Sequence, residues 1–112
     1  MSENQRKGPE ESVLPAVAAV HVLLATHPEL ALLPMQWLIT PGEVTILIDR
    51  QSPMPREAAE ALATALGVEV RPGIAFEHEG EWHLPLYIEA VLGGAPLFAS
   101  AHVAVDGSEA KR

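Results

Sequence analysis

The sequence predicts an α+β fold: a two-layer sandwich in the order α-β-β-α-β-β-β, with two helices on one face of an antiparallel sheet of about five strands. Three observations carry that expectation. From Val68 to Val105, three runs alternate apolar residues with others and are separated by glycine turns. A second pair of alternating runs flanks Pro41-Gly42. Two further segments, 13–27 and 56–66, repeat their apolar residues at helical rather than strand spacing.

The C-terminal meander fixes its own register. Gly93-Gly94 suits a two-residue hairpin turn, which needs positive φ. Leu92 then faces Ala95, and Ala90, Ile88, Leu86, Leu84 and Trp82 face Leu97, Ala99, Ala101, Val103 and Val105, giving one continuous apolar face. Reading His78-Glu79-Gly80 as a three-residue loop adds Phe76 opposite Trp82, Ile74 opposite Leu84, Val70 opposite Ile88 and Val68 opposite Ala90. A slip of one residue would turn all of these side chains to the other face.

The remaining elements follow in chain order. Residues 1–11 form a polar tail, 12–105 a single α+β domain and 106–112 a second polar tail. Ser12 is the expected N-cap of a helix from Val13 to about His27, with Pro15 in its first turn. Val13, Val17, Val20 and Leu24 form its stripe, widened by Leu14, Ala18 and Ala25. Pro28 stops it, because the residue before a proline is pushed out of the α region. An apolar connector, Glu29 to Pro34, leads to strands Met35–Thr40 and Glu43–Asp49. Trp37, Ile39 and Met35 oppose Ile46, Val44 and Ile48 on the inner face, and Leu38, Thr45, Leu47 and Asp49 point outward. A four-residue loop suits this hairpin better than a two-residue Pro-Gly turn, which matches strand twist poorly. After the break at Gln51 to Pro55, a helix runs from about Arg56 to Leu66, buries Ala59, Leu62, Ala63 and Leu66, and is capped by Gly67.

Composition excludes several classes of function. With no cysteine, disulfides, thiolate metal sites and thiol nucleophiles are all ruled out. A net charge of −8 with isolated arginines is poorly suited to nucleic acid or an anionic membrane. No apolar run reaches the roughly 18 residues of a membrane span, and the polar run Met1 to Glu11, without an apolar segment, gives no expectation of a secretory signal. A cytoplasmic protein is the expectation.

Little in the sequence nominates chemistry. Of the 5 histidines, His21 reads as a half-buried structural residue, His27 as a helix-end residue and His78 as a loop residue. His83 and His102 lie diagonally across the outer face of the meander, with Glu69, Glu77 and Glu89 on the same side. They are weak candidates for a metal site, because no HxH or HExxH spacing supports one. No serine sits in a nucleophile elbow, no glycine-rich phosphate loop is present, and no carboxylate pair stands out. No cofactor and no catalytic residue is expected, which leans against an enzyme.

The outer sheet face is the unusual feature. Tyr87, Phe98, His83, His102, Leu38 and Leu47 share it with small residues and few charges, whereas an exposed antiparallel face is ordinarily polar. Either the tails or the 29–34 connector cover it, or it is an interface. The expected function is a non-enzymatic interaction module that self-associates through this face or pairs with another protein. An edge strand, Gln36 to Thr40 or the one ending at Val105, offers a second route. The alternative is a small-molecule-binding or hydrolytic domain with a pocket around Tyr87, His83 and His102.

The run EVTILIDR, then REAAEALATALGVEV and the strands beyond it, resembles in layout small uncharacterised proteins of GC-rich bacteria, such as actinomycetes and their phages or plasmids. The likeness covers about 43–105, and the alanine-rich, cysteine-free composition agrees with it. It implies no activity and no role for any residue.

Overall fold

The computed structural model describes residues 13–48 and 54–106. The expected capping serine Ser12, the outward-pointing Asp49, and both polar tails apart from Asp106 lie outside the described residues. Two helices, α1 (Leu14–Thr26) and α2 (Pro55–Leu66), pack on one side of a six-stranded sheet. Its strands are β1 (Met35–Thr40), β2 (Glu43–Ile48), β3 (Arg71–Pro72), β4 (Phe76–His78), β5 (Glu81–Leu92) and β6 (Ala95–Val105). They lie in the order β1-β2-β6-β5-β3, with β4 also paired to β5. The α+β class, the element order and the one-sided helix layer are as the sequence predicts.

One pairing departs from the expected antiparallel sheet. β2 and β6 run parallel, with Val44 beside Leu97 and Leu47 beside Ser100, so the sheet is mixed. This contact joins segments far apart in the chain, and no local turn announces it. It also places β6 in the centre of the sheet, between β2 and β5, so the strand ending at Val105 is not an edge.

The hairpin registers are mostly as expected. All pairs of β1 with β2 and of β5 with β6 match the predicted partners. The β1–β2 turn is nevertheless the two-residue Pro41-Gly42, because Thr40 pairs directly with Glu43. Gly42 takes φ 86°, so a proline followed by a positive-φ glycine closes the hairpin as in a type II turn.

The predicted register of the third hairpin fails by one residue. Its loop is the two-residue Glu79-Gly80, both at positive φ (53° and 83°), the pattern of a type I′ turn. His78 therefore pairs with Glu81, Glu77 with Trp82, and Phe76 with His83. Phe76 and Glu77 exchange faces relative to the expectation. Upstream, Arg71 opposite Tyr87 restores the predicted frame, so the strand gains one extra residue between Pro72 and Phe76. This β-bulge leaves Ile74 89% exposed instead of buried against Leu84. The bulge stands across from Pro85, whose carbonyl accepts from the Gly73 N–H at 2.8 Å. A strand residue's N–H and C=O point to the same side, so the donor that Pro85 lacks faces the bulge.

The core lies between the sheet and the helices: Val44, Ile46, Ile48, Leu86, Ile88, Leu97, Ala99, Ala101 and Val103 from the strands. Ala16, Val20 and Leu23 of α1, Leu30 of the 3₁₀ turn Pro28–Leu32, and Ala58, Ala59, Leu62 and Ala63 of α2 close it. α2 has the expected stripe, shifted so that Ala58 is buried and Leu66 only half-buried. It ends in a Schellman cap: Val68 N–H donates to Ala63 O, and Gly67 N–H to Thr64 O. α1 starts one residue late, with Val13 in the cap position, and presents a different face from the one expected. Leu14 and Val17 are exposed, and His21 is exposed instead of half-buried. An apolar residue stands at almost every position of α1, so its sequence carries no phase. Packing at the hairpin tip selects the face: a Cβ on Gly93 would lie 2.5 Å from Ala19 Cβ, so only glycine fits there.

Candidate recognition surface

The outer sheet face is built from cross-strand rows. Leu38, Thr45, Phe98 and Glu89 stand side by side across β1, β2, β6 and β5. The next row is Gln36, Leu47, Ser100, Tyr87 and Arg71. The pleat sends all of these away from the helices, because their neighbours Ile46, Ile88, Leu97 and Ala99 are buried in the core. Leu38, Leu47, Tyr87 and Phe98 remain 51%, 46%, 46% and 42% exposed, a cluster of large apolar side chains on one surface.

Between Tyr87 and Phe98 runs a shallow groove, also lined by Thr45, Glu89 and Ser100. Two neighbours shape it. Tyr87 lies over Gly73, where an added Cβ would come within 2.6 Å of its ring and 2.9 Å of Pro85 Cγ. The Thr45 hydroxyl is turned to Glu43 Oε2 at 3.1 Å. Arg71 and Glu89 approach to 4.0 Å across the strands, but both are largely exposed, so this pair adds little stability.

Further along the same face, Phe76 stacks on His83 at 5.5 Å with an interplanar angle of 26°, and meets His102 edge-on at 5.7 Å. His83 Nε2 lies 3.7 Å from Glu81 Oε1. Among the described residues no group of three His, Cys, Asp or Glu side chains is placed to hold a metal. The expected grouping of Tyr87 with His83 and His102 divides in two: Tyr87 borders the groove with Phe98, and the histidines pack on Phe76.

All six residues nominated from sequence lie on this face, four exposed and the two histidines half-buried. Sequence reasoning misses Phe76, because a three-residue loop assigns it to the core. The signal that could have found it is Glu79-Gly80, a pair that suits a two-residue turn. The 29–34 connector is not a cover for this surface. Its 3₁₀ turn packs against α1 and α2, with Leu30 fully buried in the helix layer.

Comparison with protein-family profiles, with curated proteins and with solved structures finds no match to this chain. Among the described residues no helix is long and apolar enough to cross a membrane.

Proposed function

We propose that this protein is a non-enzymatic interaction module of the cytoplasm that associates with a second copy of itself or another protein through the outer face of its sheet. One observation carries the reading. Leu38, Leu47, Tyr87 and Phe98 stay exposed together on a face where polar and β-branched residues are the norm. The charge balance points the same way: a chain of net charge −8 is suited to a protein partner rather than to nucleic acid or an anionic membrane.

Magnitudes set what the surface needs. With less than half of each ring exposed, Tyr87 and Phe98 retain roughly 200 Å² between them. At about 25 cal/mol per Å² that is a gross gain of about 5 kcal/mol, at the low end of the cost of bringing two chains together. The two rings do not hold a complex alone. The flanking leucines, or backbone pairing at an edge, must contribute.

Sedimentation velocity over a wide range of concentrations tests the proposal. The wild-type chain should gain mass with concentration, and Phe98→Glu should gain less at the same concentration. A strictly monomeric wild type that also recovers no partner through this face would contradict it. A second reading, an apolar small molecule lodged between Tyr87 and Phe98, draws on the groove itself. It predicts ligand-dependent stabilisation that Phe98→Glu abolishes, with no change in mass.

A further inference from the structure

We propose that β1 is the seam of a homodimer, in which two copies join edge to edge and antiparallel through Met35–Thr40 with Leu38 on the two-fold axis. The inference rests on the self-association reading above and adds a second contact to it: the seam joins two copies edge to edge, and the outer face stays open for the face contact.

The two edges of the sheet are finished differently. The β3–β4 edge is cut into pieces of two and three residues by a bulge, carries Pro72, and bears Arg71, Glu77 and His78. Short strands, bulges, prolines and charges are the devices that keep a sheet edge from pairing. β1 has none of them. It is six residues in unbroken register with β2, and its sequence MQWLIT holds no charge, proline or glycine. Among the described residues no strand pairs with its other side. Its outward N–H and C=O groups form a regular template that a second strand can complete.

Charge favours a second copy at this edge. From 13 to 48, which spans α1, β1 and β2, the charged side chains are Glu29 and Glu43. From 54 to 106 there are Glu57, Glu60, Glu69, Glu77, Glu79, Glu81, Glu89 and Asp106 against Arg56 and Arg71. Two acidic chains repel least when they meet through β1, the edge farthest across the sheet from β3.

The side-chain pattern selects the register. A two-fold axis through an antiparallel seam pairs residues of the same face, so either Trp37 or Leu38 meets its own copy. Centring on Trp37 sets polar Gln36 against Leu38 of the second copy. Centring on Leu38 sets Gln36 against Thr40 and Trp37 against Ile39: polar with polar, aromatic with β-branched. The Leu38-centred seam fuses the two sheets and brings both outer faces, with their rows from Leu38 to Phe98, onto one surface.

The absence of cysteine makes the test clean. In this seam the Cα atoms of two opposed residues lie about 4.5–5.5 Å apart, within the about 4.4–6.8 Å that a disulfide spans. Leu38→Cys should therefore oxidise to a covalent dimer at low protein concentration. Gln36→Cys should not, since two copies of residue 36 are about 13 Å apart at the usual rise per residue. Mixing Gln36→Cys with Thr40→Cys should give the mixed dimer, at least about tenfold faster than either alone, because pairing replaces a chance collision. This mixed test leaves Leu38 in place. Equal cross-linking of all variants, or none by Leu38→Cys and the mixture alike, would overturn the seam. If sedimentation still shows association that Phe98→Glu weakens, association stands and only the seam falls. If nothing associates, the parent reading falls with it.

Discussion

Leu97 and Phe98 are neighbours on β6, yet the first is fully buried and the second stands 42% exposed on the opposite face. The same holds for Ile88 and Tyr87 on β5 and for Ile46 and Leu47 on β2. On one side the sheet is sealed by α1, the 3₁₀ turn and α2; on the other, Leu38, Leu47, Tyr87 and Phe98 face outward. Strands that are apolar on both faces belong to sheets covered twice. Among the described residues this chain supplies one cover. The difference separates two kinds of apolar residue: inner ones hold the fold, and outer ones are those the proposed association would cover.

Substitutions on adjacent residues put that division under strain. Leu97→Ala, on the sealed face, should have the largest effect, a loss of about 2–5 kcal/mol in chemical unfolding that does not depend on how the chain associates. Gly73→Ala comes next. Its methyl group would press on the Tyr87 ring and on Pro85 Cγ. A cost of about 1–3 kcal/mol is expected from crowding, with weaker association, because the ring must leave its place beside the groove. Phe98→Glu and Phe98→Lys should change the stability of the monomer least. Both lose the apolar contact and should weaken association through the outer face. The introduced carboxylate of Phe98→Glu would also face Glu89 across the strands, at a cost of roughly 0.2–1 kcal/mol that Phe98→Lys would not incur. If Phe98→Lys destabilised the monomer as much as Leu97→Ala, the two faces would not differ in the way described.

How far sequence reached depends on whether a constraint was local. The β5–β6 register was legible because Gly93 and Gly94, at φ 59° and 84°, fix the turn, and eleven pairs then follow. The β1–β2 register followed even though its loop was expected to be longer, since alternation alone sets which residues share a face. The α2 stripe was legible because Glu57, Glu60 and Thr64 mark its wet side. α1 has no such mark, so packing against the Gly93 turn chose its face. The parallel β2–β6 contact was not legible, being a long-range choice with no turn chemistry behind it. The misplaced Phe76 came from one residue of turn length, and the bulge at Gly73 to Ala75 absorbed the error before β3. For the candidate surface the cost was small. Leu38, Leu47, Tyr87 and Phe98 were found, and the contact that keeps His83 and His102 engaged was not.

Urea unfolding of the wild type and Phe98→Lys, each at a dilute and a concentrated protein level, tests the division of the two faces most directly. An associating native state is stabilised by mass action, so the wild-type midpoint should rise with concentration. The Phe98→Lys midpoint should rise less, and at the dilute level the two curves should fall within about 0.5 kcal/mol of each other, as for other surface substitutions. A wild-type midpoint that ignores concentration, or a dilute Phe98→Lys destabilised by as much as Leu97→Ala, would contradict the account.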